Sequence, residues 1–213
     1  TRVVSVENTA NQAGGVVYPL DRVEAIAQTA RKNDLHLHLD GARLWNASAA
    51  HDVPERAYAA PFDLTWVALS KGLGAPAGSV VAGPQPLIDA ARRTRKRFGG
   101  GMRQAGILAA AGLYALDHHR PHLSDDHAKA QHLAETIADL PSFEIDLDRV
   151  ETNIVIFEVV DGTAASVVDT MEGHGVHLTP FGPTTIRATT HRDVSMAEVN
   201  EASTVLRSAY GST

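Results

Sequence analysis

Short apolar runs alternating with stretches of helical periodicity constrain this chain more than any other feature. Arg2-Val3-Val4-Ser5-Val6 is rich in β-branched residues and lacks a turn signal, so a strand is expected over Val3 to Glu7. Asn8 to Gly15 is a polar loop ending in glycine. Pro19 then introduces a helix running to about Lys32, with Val23, Ile26, Ala27 and Ala30 on one face. Leu35 to Leu39 reads as a second strand, Ala42 to Ala50 as a short helix, Asp63 to Leu69 as a third strand and Ser79 to Ala82 as a fourth. Strands that are apolar on both faces and alternate with helices imply an α/β fold, a mostly parallel sheet with helices on both faces.

The pattern changes further along. Pro86 to Phe98 predicts an amphipathic helix with a basic face, broken by Gly99-Gly100-Gly101. Gln104 to His118 predicts an alanine-rich helix apolar enough to be buried, and Leu123 to Leu140 a longer, more polar one. Phe143 to Leu147, Asn153 to Val159, Val176 to Leu178 and Thr185 to Ala188 look like short strands, interleaved with helices over Ala164 to Glu172 and Met196 to Tyr210. This half predicts a smaller α+β domain over 121–213, with 1–120 forming part of a large domain. The chain opens at Thr1, almost directly on a strand, so a preceding N-terminal portion is expected.

Composition narrows the chemistry. The 213 residues carry a net charge of −6, which gives no electrostatic reason to expect nucleic acid or an anionic membrane as partner. There is no cysteine, hence no disulfide, thiolate nucleophile or cysteine-zinc site. Together with the lack of an apolar run of membrane-spanning length, this makes a cytoplasmic location the expectation.

Two polar residues stand where core strands end. Asp40 follows the second apolar run in His38-Leu39-Asp40-Gly41-Ala42-Arg43, and Lys71 follows the third in Ser70-Lys71-Gly72-Leu73-Gly74-Ala75-Pro76. Ligands of open α/β sheets bind beyond the carboxyl ends of the strands. A strand-end acid and a strand-end lysine suit pyridoxal 5'-phosphate (PLP): the lysine forms the Schiff base and the acid keeps the pyridine nitrogen protonated. Taken alone, Asp40 reads more readily as the N-cap of the following helix, and Lys71 as a surface lysine in a loop. Arg43 is within reach of a cofactor oxygen, or is a helix-surface arginine paired with a carboxylate. Arg103, in Gly101-Met102-Arg103-Gln104 before an apolar helix, is a phosphate or interface candidate. Arg187 in Ile186-Arg187-Ala188 is suited to hold a carboxylate, or makes a structural salt bridge. His36, His38 and Asp40 share a strand face, but their spacing points to packing, and no metal site is expected. His118, His119 and His122 read as a solvated helix terminus, and Arg92 to Arg97 as a solvated helix face.

Taken together, the chain resembles the low-specificity L-threonine aldolases, fold type I PLP enzymes of the β-eliminating lyase superfamily. The resemblance rests on Glu7-Asn8-Thr9-Ala10-Asn11 with Gly14-Gly15, the Asp40 and Lys71 segments, Gly99-Gly100-Gly101-Met102-Arg103-Gln104, and Arg187 with Thr190-His191-Arg192-Asp193-Val194-Ser195. It implies retro-aldol cleavage of L-threonine or L-allo-threonine to glycine and acetaldehyde. Lys71 would be the Schiff-base lysine, Asp40 the partner of the pyridine nitrogen, and Arg43 a contact to the ring oxygen. Arg187 would hold the amino-acid carboxylate, while Lys96 and Arg103 would serve a site shared with a neighbouring subunit of a homo-oligomer, a dimer of dimers. Family members carry a further N-terminal part with the phosphate-binding loop and two site histidines, so this chain alone is expected to be weakly active or inactive. Other PLP lyases of the superfamily and a non-catalytic assembly piece are the alternative readings.

Overall fold

The computed structural model describes residues 1–211. They form two compact units, one of residues 1–9 and 17–123 and the other of residues 10–16 and 124–211.

In the first unit, β1 (Val3–Glu7), β2 (His36–Gly41) and β3 (Leu64–Ala68) run parallel, and β4 (Ser79–Ala82) closes the sheet antiparallel to β3. The expected α/β class and mostly parallel sheet hold, with the last strand reversed. The hairpin between β3 and β4 spans only ten residues, too short for the crossover that a parallel return requires. The second strand runs past Leu39 to include Asp40 and Gly41, because the backbone of Asn8 bonds to the Asp40 carbonyl at 2.9 Å.

The helices α1 (Leu20–Lys32), α2 (Leu44–His51) and α3 (Glu55–Ala59) cover one face. Leu39, Val23, Leu44, Ala47 and Tyr58 form one buried cluster there, and Leu37 packs with Ala27 and Ala30 in another. α3 follows Pro54 and is short; no apolar periodicity announced it. The opposite sheet face carries Val3, His36, His38, Asp40, Leu64, Trp66 and Val81, all exposed or half-buried. Asp63 anchors the edge of β3. It accepts both guanidinium nitrogens of Arg31, at 2.9 and 2.7 Å, and the amide of Leu37 at 2.8 Å. These bonds, led by Arg31, hold its carboxyl below the ordinary value.

α4 (Gln85–Arg97) and α5 (Gly106–His118) complete this unit. The alanine-rich α5 was expected to be buried. Within its unit, however, only Gly112 and Ala115 are, and Ile107, Leu113 and Tyr114 are exposed.

The second unit has an antiparallel sheet in the order β5 (Phe143–Glu144), β6 (Ile154–Val159), β8 (Thr185–Thr189), β7 (Thr179–Pro180). α6 (Leu123–Ala138), α7 (Ala164–Glu172) and α8 (Met196–Tyr210) bury Val155, Phe157, Ile186 and Ala188 from one face. The strand expected over Phe143 to Leu147 stops at Glu144, because the Asp146 carboxylate caps a 3₁₀ turn at Leu147–Arg149. Val176 to Leu178 does not pair. Gly175 turns at φ 77°, the Val176 amide bonds back to Met171, and the ladder forms at Thr179–Pro180 instead. α8 starts with a reciprocal cap between Ser195 and Glu198.

A buried ion pair ties the loop after β8 to α6. The Lys129 ammonium lies 2.5 Å from Asp126 and donates to the carbonyls of His191 and Val194 at 3.0 and 2.8 Å. Thr190 adds a bond from its hydroxyl to the Asp126 carbonyl at 2.6 Å. Removing one partner of a buried, fully bonded pair strands the other charge. Asp126→Ala should therefore cost about 3–5 kcal/mol in a denaturant titration. Asp63 predicts an acid limb to stability. Its folded pKa is depressed, so its contribution is complete above the unfolded carboxylate's pKa and is lost as pH falls through the lower folded value. Asp63→Asn should flatten that limb in pH-dependent unfolding curves.

Candidate active site

The carboxyl ends of β2 and β3 bring the first two predicted residues to one place. Asp40 and Trp66 are register partners in the parallel ladder, so their side chains stand side by side on the open sheet face. The Lys71 ammonium lies over the indole of Trp66, 5.9 Å from the ring centroid. A carboxylate, an aromatic ring and a primary amine thus share the strand ends.

The turn carrying Lys71 is fixed from several sides. Ala75 bonds back to the Leu69 carbonyl at 3.0 Å and Gly74 to that of Lys71 at 2.8 Å, with Gly74 at φ 67°. Leu73 is fully buried. His119 meets the Leu73 carbonyl at 2.6 Å, so this histidine supports the turn and is not part of a solvated helix end. Trp45 of α2 donates to the Ala68 carbonyl at 3.2 Å. A Cβ on Gly72 would come within 2.9 Å of Asn46 and 3.0 Å of Leu123, so glycine is what allows this close packing. Lys71 itself is exposed in this chain.

The Asp40 carboxylate accepts from the Ala42 amide at 3.1 Å. That bond closes a local turn and is not a helix cap, because the N-cap position of α2 belongs to Arg43. Arg43 is half-buried, and the helix begins one residue beyond it. Gly41 is required between them. A Cβ there would stand 2.5 Å from the Trp66 carbonyl oxygen and 3.2 Å from Leu44 and Val67.

Lys96, at the end of α4, and Arg103, before α5, are exposed, and the Lys96 methylenes lie against Gly101. His38 bonds to Ser5 at 2.8 Å, and His36 lies 3.7 Å from Asp63.

Arg187 stands in the second unit, on β8, on the sheet face away from α6, α7 and α8. No salt bridge engages it among the described residues. Its guanidinium lies 5.0 Å from the Phe181 ring centroid, and Nη1 donates to the Asn11 side-chain oxygen at 3.2 Å. Its Nε is buried without an acceptor. Asn11 stands in the Glu7-to-Asn11 segment that carries the resemblance, whereas no sequence motif marks Phe181 or Trp66. Strand alternation together with the β2–β3 alignment is the signal that would have found Trp66.

Residues 1–161 match the family model described as beta-eliminating lyase. The chain belongs to that family. It is 38% identical over 203 residues to low-specificity L-threonine aldolase 1 of Arabidopsis thaliana, covering 94% of this chain and 57% of the plant protein. It is equally 38% identical over 201 residues to low specificity L-threonine aldolase of Escherichia coli K12, covering 94% and 58%. The chain thus spans less than two thirds of the length of these curated relatives. Threonine aldolase of Leishmania major has the same fold, with a TM-score of 0.78 at 18% identity, covering 98% of this chain and 61% of that one. So does an aspartate aminotransferase of Thermus thermophilus, with a TM-score of 0.70 at 15% identity over 97% and 56%. A fold shared by an aldolase and an aminotransferase leaves the reaction to be argued from the site.

Gly41→Ala should lower stability by about 1–3 kcal/mol through overpacking at the β2–β3 seam. Gly106→Ala, where an added Cβ meets nothing within 4 Å, should be neutral or stabilising in the same denaturant titration.

Proposed function

We propose that this chain is part of a PLP-dependent aldehyde-lyase that cleaves L-threonine and L-allo-threonine to glycine and acetaldehyde. The observation that carries the reading is the grouping of Asp40, Trp66 and Lys71 at adjacent strand ends. The named relatives support the choice of substrate. The donor set suits the cofactor: an amine that can bond covalently to an aldehyde, a carboxylate for a protonated ring nitrogen, and a glycine turn that gives both close access. When bound, the group supplies an electron sink for the carbanion left by Cα–Cβ cleavage.

The chain's own residues divide the remaining work. Lys71 would hold the cofactor through its primary amine. Asp40 would keep the ring nitrogen protonated, and Arg43 would contact the ring oxygen. Arg187 binds the substrate carboxylate, where a planar guanidinium gives two parallel bonds. Lys96 and Arg103 serve a neighbouring copy in a homo-oligomer. The exposed apolar residues of α5 support that association, since a helix apolar all round is stable only when covered.

Lys71→Ala in the cofactor-loaded enzyme should abolish both the visible absorbance of lysine-bound PLP and the release of acetaldehyde. Retention of both by the variant would overturn the assignment of Lys71. The formation of pyruvate and ammonia in place of glycine and aldehyde would replace the aldolase reading with β-elimination.

A further inference from the structure

The environment of Arg187 contains a choice that the reaction alone does not explain. Its one hydrogen-bond acceptor among the described residues is an amide oxygen, that of Asn11, at 3.2 Å. Arginines in partly buried positions are ordinarily met by carboxylates, which satisfy their donors and cancel their charge. Asn11 satisfies a donor and leaves the charge intact. Phe181 does the same by another means, since the face of an aromatic ring attracts a cation without neutralising it. The two contacts act in different directions. The ring lies 5.0 Å from the guanidinium and limits its tilt, while the Asn11 bond to Nη1 limits rotation in its plane. The Nε–H is buried with no acceptor, so the group remains short of a partner in this chain.

Asn11 lies in the segment Ala10–Val16, which packs with the unit carrying Arg187. That segment is held there independently of the arginine. Ala10 and Val16 form a β-bridge, the Thr152 hydroxyl donates to the Gly15 carbonyl at 2.8 Å, and Gly14 packs near Ile156, the register partner of Arg187. Asn11 is therefore delivered to the guanidinium by a fixed piece of backbone.

We propose that Asn11 is a positioning residue for Arg187: it orients the guanidinium over Phe181 with its charge uncompensated, and so leaves the arginine poised for a carboxylate. The proposal rests on the reading of Arg187 as the substrate-carboxylate residue and deepens it. Substitution by aspartate tests it, because the side chain keeps its size while the acceptor gains a charge that would neutralise Arg187. In the cofactor-loaded enzyme, Asn11→Asp should weaken glycine binding, measured by calorimetry, at least tenfold. KM for threonine should rise in parallel with little change in kcat. Asn11→Ala, which removes the orienting bond but adds no charge, should raise KM less than Asn11→Asp. Binding of an amino alcohol lacking the carboxylate should be unchanged in both variants. If Asn11→Asp binds glycine within twofold of the parent, the proposal is overturned. Equal loss of glycine and amino-alcohol binding would also overturn it, since Asn11 would then be supporting the fold generally. Arg187→Ala separates the two claims. If it leaves glycine affinity unchanged, the carboxylate reading of Arg187 fails and the role of Asn11 fails with it. If it weakens glycine binding while Asn11→Asp does not, only the role of Asn11 fails.

Discussion

The in-register parallel pairing of β1, β2 and β3 underlies the rest of the first unit. Val3 to Glu7 pairs residue for residue with His36 to Asp40, and His38 to Gly41 pairs with Leu64 to Val67. Because neighbouring strands run the same way, their carboxyl ends meet at one edge. Because partners share a face, alternate residues are sorted into a buried side and an open one. Leu37 and Leu39 go beneath the helices, and Asp40 and Trp66 go to the open side. A one-residue slip would exchange those sets and scatter the polar residues into the core. Burial of the leucines is therefore what keeps Asp40 on the open face.

Close approach comes next. Gly41 lets β2 lie against the Trp66 carbonyl, and Gly72 lets the lysine turn lie against α2. Neither position would accept a side chain without displacing backbone or a buried neighbour. Trp45, Asn46, Leu73 and His119 then brace the turn, so an exposed lysine rests on a rigid base. Functional side chains placed on braced strand ends hold their geometry better than those on free loops.

The second unit handles polarity differently. Lys129 is buried with its charge matched by Asp126 and two carbonyls, which makes it a structural tie. Arg187 is half-buried with its charge unmatched. Within one unit, one cation is thus an ion-paired tie and the other has no ionic partner among the described residues.

Much of this was legible in the residues. Apolar periodicity located every helix but α3, and the β-branched runs located β1 to β4, β6 and β8, because burial imposes spacing directly on sequence. Lys71 and Asp40 stood out because polar residues at the ends of core strands need a reason. β5 stops short of its expected end and β7 forms beyond its expected span, because local caps and turns, at Asp146 and Gly175, outweighed propensity. The direction of β4, the placement of Trp66 beside Asp40, and the pairing of Asn11 with Arg187 across 176 residues were decided by tertiary structure. The chain's own pattern determines which residues are buried and which elements form, since each depends on near neighbours. Which distant side chains meet depends on register and backbone approach, and those exist only once the sheet has assembled.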